Sequence, residues 1–209
     1  MELSACIVVY NGCDEALRAA QTVLQYTRRH PLTLYLVDNA SPDGSGQCLA
    51  KAAKDGTLHI REDQKVEVLC RTENGGFGPG HNTVLSLLQS RVHFILNPDV
   101  IIHDDILPQM AQWLLDHPGV VMATPQLYFP DGRIQNLPRR KPTPWLLLAR
   151  QLAPRFGGVM QKADEHYTMQ DEDLTIPRPI EFCTGSFAAI RTDVFKTIGG
   201  FDPEYFMYV

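Results

Sequence analysis

The sequence lacks long apolar runs and any surplus of positive charge. Its 209 residues include 19 lysines and arginines against 24 aspartates and glutamates, a net charge of −5. A nucleic-acid-binding protein needs a broad basic surface to neutralise phosphates, so this balance argues against nucleic acid as a partner. No apolar segment approaches the roughly 18 residues that a membrane span requires, and Met1 to Ser4 does not open a signal peptide. These absences predict a cytoplasmic protein that is soluble or lies at the inner face of the cell membrane.

Cysteine is also scarce and shows no pairing that predicts a metal site. The five cysteines are odd in number and contain no C-x-x-C pair. Several lie in apolar or helical segments, where a thiol packs as a small hydrophobic group. The set favours thiols in a reducing, cytosolic compartment. The cysteines are Cys6, Cys13, Cys48, Cys70 and Cys183.

Short apolar runs alternate with stretches of helical spacing through the first 124 residues. This alternation predicts βαβ units and an α/β fold, a three-layer α/β/α sandwich with a mainly parallel central sheet. The strand candidates are Leu3 to Val9, Leu32 to Val37, Val66 to Cys70, Val92 to Leu96 and Val120 to Ala123. The helix candidates are 14–28, a stretch ending near 54, a stretch from the glycine-rich segment to about 89, and 104–117.

The second half is rich in proline and less regular. We expect a short helix near Trp145 to Leu152, a strand from Glu181 to Arg191 and a capped helix from Thr192 to Ile198. The length suits a single domain over 1–209, with a ligand-binding half at 1–124 and a second half at 125–209.

Polar residues follow the predicted strands directly, at Tyr10, Asp38, Asn74 and Asp99. In open α/β sheets ligands bind outside the carboxyl ends of the strands, so these residues should meet in one crevice. The Asp99 carboxylate either caps the next turn or holds a hard cation such as Mg²⁺ or Mn²⁺. Asp38 either makes local hydrogen bonds in its turn or accepts from the N–H of a pyrimidine base.

Four glycines, Gly75, Gly76, Gly78 and Gly80, precede a predicted helix. Glycine lets the backbone approach a ligand, and a helix N-terminus attracts phosphate, which suits a diphosphate, with Asn82 as a further donor. A flexible surface loop is the alternative. The dinucleotide fingerprint G-x-G-x-x-G fails, because His81 stands where the last glycine is required.

Six motifs complete the pattern: Ile7 to Asn11, Val37 to Ser41, Asn74 to Asn82, Leu96 to Asp99, Cys183 to Phe187, and Gly199 to Tyr208. In this order they resemble the family 2 glycosyltransferases of the GT-A fold, especially the bacterial rhamnosyltransferase-like members. The resemblance covers nearly the whole chain. It implies an inverting transfer of a sugar, possibly rhamnose, from a nucleotide-diphosphate donor to a surface glycan or lipid-linked acceptor.

The resemblance also assigns roles to residues. A dTDP- or UDP-sugar donor would be bound by Tyr10, Asn11, Asp38, Asn74, Gly75, Gly76, Phe77, Asn82, Asn97 and Asp99, with Asp99 as the ligand of Mg²⁺ or Mn²⁺. The resemblance makes 1–124 the nucleotide-sugar-binding half and 125–209 an incomplete acceptor-side half, and the acceptor side would include Gly185, Ser186 and Asp202. Arg139 to Lys141, next to an apolar stretch, suit either packing on the core or contact with a membrane surface.

The catalytic residue stays unassigned. In the family an acidic motif directly after the Phe206 to Tyr208 segment supplies the base, and this sequence ends at Val209. The resemblance therefore leaves two readings open: a glycosyltransferase, or a nucleotide-sugar-binding domain without turnover. A sugar-nucleotide pyrophosphorylase is disfavoured, because Tyr10 to Cys13 lacks the glycine-rich, basic loop such enzymes carry after their first strand.

Overall fold

The computed structural model describes residues 1–135, 137–141, 164–182 and 185–206. The predicted helix near Trp145 to Leu152, residue Cys183 and the last three residues lie outside the described residues. The chain divides into a sheet unit (Met1–Ala123 with Gly185–Val209) and a second unit (Thr124–Thr184). The second unit begins at Thr124, and the sheet unit also includes Gly185–Val209. A functional division into 1–124 and 125–209 stays a prediction.

The secondary structure follows the expected alternation, with ends shifted by a few residues. The elements are β1 (Leu3–Val9), α1 (Cys13–Tyr26), β2 (Leu32–Asp38), α2 (Ser45–Ala52), β3 (Gln64–Cys70), α3 (Phe77–Asn82), β4 (Val92–Leu96), α4 (Ile106–Asp116), β5 (Met122–Ala123), β6 (Leu127–Tyr128), β7 (Ile134–Gln135), β8 (Phe187–Arg191) and α5 (Thr192–Thr197).

The sheet unit contains a six-stranded sheet in the order β3-β2-β1-β4-β8-β5. Strands β3, β2, β1 and β4 pair in parallel, and β8 runs antiparallel to both β4 and β5. The predicted α/β fold with a mainly parallel sheet is confirmed. The β4 strand is buried at every position, as expected for a central strand covered on both faces.

Helix α1 shows why these segments pack on the sheet. Its buried residues Ala16, Ala20, Val23 and Leu24 recur at helical spacing and form one apolar face. Asp14 and Glu15 lie in its first turn, where negative charge stabilises the positive end of the helix dipole.

The helix after the glycine-rich segment differs from the prediction. It begins inside that segment, at Phe77, and ends at Asn82 instead of continuing to about residue 89. Beyond it, backbone hydrogen bonds connect residues three apart, such as Val84 to His81 and Leu85 to Asn82. This tighter i to i+3 pattern replaces the α-helix over the next turns.

The second unit contains a short hairpin and an ion-pair cluster. Strands β6 and β7 pair antiparallel. The Arg140 guanidinium donates to the carboxylates of Asp171, at 2.6 Å, and Glu172, at 2.8 Å. In the part of the chain that the structure describes, no helix is long and apolar enough to cross a membrane.

Candidate functional site

The carboxyl ends of four parallel strands form one edge of the sheet. Val9 is in register with Asp38, and Asp38 with Cys70, while Leu96 ends β4 beside β1. Tyr10, Asn74 and Asp99 follow these strands, so the structure brings them to the same edge as Asp38. The register of the parallel strands therefore places these residues at one edge of the sheet.

The antiparallel strand β8 begins at the same edge. Phe187 pairs with Leu96, and the N–H of Asn97 donates to the carbonyl of Ser186 at 2.9 Å. Gly185 and Ser186 therefore lie next to the segment that carries Asn97 and Asp99. The strand that the sequence predicted from Glu181 begins at Phe187 instead.

The Asp38 carboxylate is buried at the end of β2. The side chain is buried, with 5% exposure, and its Oδ2 accepts from the N–H of Ser41 at 3.3 Å. Its Oδ1 has no hydrogen-bond partner among the described residues. A Cβ at position 46 would lie 2.7 Å from Oδ2, so Gly46 leaves the space that this carboxylate occupies. A buried acceptor without a donor is costly and suits a ligand N–H.

Asn39 organises the glycine-rich loop. This side chain is 2% exposed, and its amide N–H groups donate to Oδ1 of Asn74 at 2.7 Å and to the carbonyl of Gly76 at 3.0 Å. Its own Oδ1 accepts from the guanidinium of Arg71 at 2.5 Å. Asn74 Oδ1 also accepts from the N–H of Gly76 at 2.9 Å. One buried amide thus connects the end of β2 with the loop after β3.

The N-terminus of α3 is covered by the chain's own backbone. The N–H of Phe77 donates to the carbonyl of Phe206 at 2.8 Å. Gly76 has φ 90° and ψ −171°, and a Cβ there would overlap that same carbonyl. The first N–H of α3 is therefore occupied, although the sequence predicted free N–H groups for a diphosphate. Ligand binding by Gly75, Gly76 and Phe77 stays a prediction.

Asn82 is bound to the segment after α5. Its amide N–H donates to the carbonyl of Phe201 at 2.7 Å, and its Oδ1 accepts from the N–H of Phe201 at 2.8 Å. This pair of bonds fixes residues 200–202 against α3, which is how Asp202 reaches this part of the sheet unit. The predicted role of Asn82 as a ligand donor stays untested, since both polar atoms already have partners.

Asp99 and Tyr10 are two of the exposed members of the predicted set, together with Asn11 and Asp202. Tyr10 is 51% exposed, and Asp99 is exposed in the turn after β4. Among the described residues, no group of three or more histidine, cysteine or acidic side chains forms a metal cage. One hard carboxylate nevertheless suits Mg²⁺ or Mn²⁺, because these ions take one or two protein carboxylates and complete their coordination with phosphates and water.

Two loops of the site are tied together by hydrogen bonds. The N–H of Asn11 donates to Oγ of Ser41 at 2.9 Å, and the N–H of Gly12 donates to Oδ2 of Asp43 at 3.1 Å. Hydrogen bonds from Ser45, together with that from Gly12, lower the pKa of Asp43. The segment after β1 is thus held against the segment after β2.

A disulfide between Cys13 and Cys48 adds a covalent link at the same place. The sequence favoured thiols, and the structure corrects this expectation for these two residues. Their Cα atoms lie 6.3 Å apart, because the neighbouring strands β1 and β2 lead into neighbouring helices. The two cysteines are 35 positions apart in the sequence, and no sequence pattern indicated that they pair.

Sequence reasoning also missed Asn39 and Arg71 as organising residues. Asn39 is adjacent to Asp38 in a segment that the sequence identified as a turn, and Arg71 directly follows β3. A polar residue next to a predicted ligand residue was an available signal for Asn39. Nothing in the sequence indicated that the Arg71 guanidinium would meet it.

A sheet of this topology, with polar residues gathered at its carboxyl edge, defines a GT-A-type α/β protein. The chain belongs to the glycosyl transferase family 2, whose profile matches residues 4–199. The family prediction made from the sequence is confirmed.

The relatives found by sequence include a rhamnosyltransferase. The N-acetylglucosaminyl-diphospho-decaprenol L-rhamnosyltransferases of Mycobacterium tuberculosis strains CDC 1551 / Oshkosh and ATCC 25618 / H37Rv are each 24% identical over 203 residues. The alignment covers 89% of this chain and 60% of each relative. This chain therefore spans about 60% of the length of the curated relatives it matches.

Solved glycosyltransferase structures share the fold. The mannosyltransferase PcManGT from Pyrobaculum calidifontis, in complex with GDP-Man and Mn²⁺, matches with a TM-score of 0.60 at 19% identity, over 97% of this chain and 48% of that one. S. aureus TarS 1-349 in complex with UDP matches with a TM-score of 0.57 at 14% identity, over 99% and 52%. At these identities the likeness shows the fold.

Proposed function

We propose that the sheet unit binds a nucleotide-diphospho-sugar, a dTDP- or UDP-sugar, for transfer to a glycan or lipid-linked acceptor with inversion at the anomeric carbon. The observation that carries this proposal is the convergence of Asp38, the glycine-rich loop and Asp99 on one sheet edge. These residues are far apart in sequence. Membership of the glycosyl transferase family 2 supports a sugar-donor site where they meet.

The nucleotide base is assigned to the β1 and β2 side of the edge. Asp38 offers a buried acceptor that lacks a donor among the described residues, and a pyrimidine N–H supplies one. The half-exposed ring of Tyr10 offers a surface on which a base can stack. Asn11 lies beside them through its bond to Ser41. Adenine has a ring acceptor, N1, where uracil and thymine have the N3–H donor, so we expect UDP and dTDP to bind more tightly than ADP.

The diphosphate is assigned to the β3 and β4 side. Asp99 would hold Mg²⁺ or Mn²⁺, and such an ion, when bound, supplies positive charge that stabilises a departing nucleotide diphosphate. Asn74 is oriented by Asn39, and Asn97 lies beside Ser186. A solved structure of the same fold, that of PcManGT, contains GDP-Man with Mn²⁺, which supports the cation.

The acceptor is assigned to the side formed by Gly185, Ser186 and Asp202. The matched mycobacterial enzymes carry a lipid-linked acceptor in their name, which supports a lipid-linked acceptor, and rhamnose as the sugar, for this chain. We place the reaction at the inner face of the cell membrane, where such an acceptor meets a soluble donor. The catalytic base stays unassigned.

Titration calorimetry with UDP and dTDP, each with and without Mn²⁺, tests the donor site directly. We expect binding that Mn²⁺ strengthens. Asp99→Asn should abolish the Mn²⁺-dependent part, and Asp38→Ala should weaken binding by roughly tenfold to a hundredfold, as for loss of a hydrogen bond to a charged group. Asp55→Ala, at an exposed aspartate in the loop before β3, is the matched control and should bind normally.

The proposal fails if no nucleotide diphosphate or nucleotide sugar binds in the presence or absence of Mn²⁺. ADP binding as tightly as UDP would overturn the assignment of Asp38 to a pyrimidine N–H and leave the diphosphate side standing.

A further inference from the structure

The Cys13–Cys48 disulfide lies at the two loops that form the nucleotide side of the site. Cys13 is the first residue of α1, directly after Tyr10, Asn11 and Gly12. Cys48 lies in the first turn of α2, where its N–H donates to the carbonyl of Gly44. Both residues are half-buried, so the pair lies at the edge of the core and not inside it.

Two of the noncovalent bonds between these loops are exposed. The bonds from Asn11 to Ser41 and from Gly12 to Asp43 both lie at the surface, where water competes for the same groups. The loops also contain residues at positive φ, Asn11 at 63° and Ala40 at 60°, a conformation that costs free energy outside glycine. Water competes with these two bonds, whereas the disulfide is a link with which water does not compete.

We propose that Cys13 and Cys48 are a reversible oxidation site that controls nucleotide binding, an inference that rests on the proposed donor site. With the disulfide formed, the loop carrying Tyr10 and the loop after Asp38 stay together and the base site is organised in advance. With the two thiols free, the loops separate more often, and the nucleotide must order them when it binds.

The reactant is a low-molecular-weight disulfide such as oxidised glutathione. One protein thiolate attacks a sulfur of that disulfide, which releases one small thiol and leaves a mixed disulfide. The second protein thiolate attacks the protein sulfur of the mixed disulfide, which forms the Cys13–Cys48 bond and releases the second small thiol. The two protein thiols lose two electrons and two protons, and the small disulfide gains them as two thiols.

The other two described cysteines, Cys6 and Cys70, are free and do not form a second pair of this kind. Cys6 is fully buried in β1, and burial raises the pKa of its thiol. Cys70 is free and mostly exposed, and partial loss of water around its thiol, followed by the negative charge of Asp38, raises the pKa of that thiol. Intracellular disulfides are usually transient or redox-sensing, so the Cys13–Cys48 pair is compatible with a reducing compartment only as a reversible site.

The test uses the 209-residue protein equilibrated in oxidised or reduced glutathione. Peptide mapping after alkylation should find Cys13 joined to Cys48 in the oxidised sample and both alkylated in the reduced one. Calorimetry with UDP and Mn²⁺ should give binding on the order of tenfold weaker after reduction, a change typical of losing preorganisation. Cys13→Ser and Cys48→Ser should bind like the reduced protein in both buffers, whereas Cys70→Ser, which keeps the pair, should still respond.

The outcomes separate this inference from the proposed function. Equal UDP affinity in both samples, with the disulfide verified, would overturn redox control and leave the donor site intact. If UDP binds in neither sample, the donor site fails, and hydrogen exchange of residues 10–12 and 39–44 then decides the loop claim by itself. Faster exchange after reduction supports locking by the disulfide, and unchanged exchange refutes it.

Discussion

Two histidines in the sheet unit are buried without charge. His81 is fully buried, and its ring lies against Phe77 and Phe201 with centroid distances of 4.5 and 5.9 Å. Burial, with a smaller contribution from His93, lowers the pKa of His81 to about 3. Burial also lowers the pKa of His93 to about 3. Neither histidine serves the proposed site, but both affect the stability of the sheet unit.

Acid should destabilise the sheet unit through His81. Between its ordinary pKa of 6.5 and its folded pKa of about 3, the unfolded chain binds a proton that the folded chain does not. The free energy of unfolding therefore falls as the pH falls through this window. At pH 5 the loss from one such histidine is about 2 kcal/mol. His81→Leu should remove this contribution, measured as a shallower decline of stability in urea unfolding between pH 7 and 4.5.

An exposed histidine provides the control for that experiment. His103 is exposed in the segment before α4, and His103→Leu controls for replacing a histidine outside the core. If His81→Leu and the unchanged protein lose stability in parallel between pH 7 and 4.5, His81 is not a source of the acid sensitivity.

The glycine-rich loop is held by the end of β2 on one side and by the Phe206 backbone on the other. Asn39 bonds to Asn74 and Gly76 from the end of β2, and the Phe206 carbonyl bonds to Phe77. These hydrogen bonds fix the conformation of the loop, which argues against the flexible surface loop that the sequence left as an alternative. Gly76 is the position where this construction depends on the absence of a side chain, since its φ and ψ are available essentially to glycine alone.

Gly76→Ala should cost more stability than another glycine substitution at positive φ. We expect a loss of about 1 to 3 kcal/mol from the backbone conformation alone, and a further loss because the new Cβ overlaps the Phe206 carbonyl and displaces it. Chemical unfolding measures both. Gly56→Ala is the matched control, since Gly56 has φ 85° and open space around its Cβ position. It should cost only about 1 to 2 kcal/mol. Equal losses for the two variants would show that contact with Phe206 contributes nothing.

How much of these elements the sequence predicted depends on the range of the interactions. Strands β1 to β4 and helices α1, α2 and α4 were predicted to within a few residues, because their apolar periodicity is local. Helix α3 was predicted too long, and its last residue, Asn82, bonds to Phe201, 119 positions away, a contact that local periodicity does not record. The sequence predicted β8 as a strand but not its antiparallel position between β4 and β5. That position depends on the path of the chain.

At the scale of the whole molecule, the two units respond to acid through different groups. In the second unit the side-chain hydrogen bond from Arg140, followed by that from His166, lowers the pKa of Asp171 to about 2. The Asp171 carboxylate therefore favours the folded second unit above its ordinary pKa of 3.8. That contribution is lost as the pH falls from about 4 toward 2.

Hydrogen exchange resolved by segment should separate these two responses. Protection of residues in the sheet unit should begin to fall below about pH 6.5, where the buried histidines act. The contribution of Asp171 to protection of residues 164–172 should persist to about pH 4 and then decline. Asp171→Asn removes the titrating carboxylate, so its 164–172 segment should lack the change between pH 4 and 2. An identical acid profile for that segment in both proteins would contradict the role of Asp171.

The sequence by itself determined the fold class, the family and the set of polar residues that follow the strands. These depend on local apolar periodicity and on short motifs in a fixed order, which can be read along the chain. Only the tertiary structure decided that Asn39 joins Arg71 and Asn74, that Phe206 covers the start of α3, and that Cys13 meets Cys48. Each of these contacts joins segments that the parallel strand order brings together at one edge, and residue spacing along the chain carries no record of such distances.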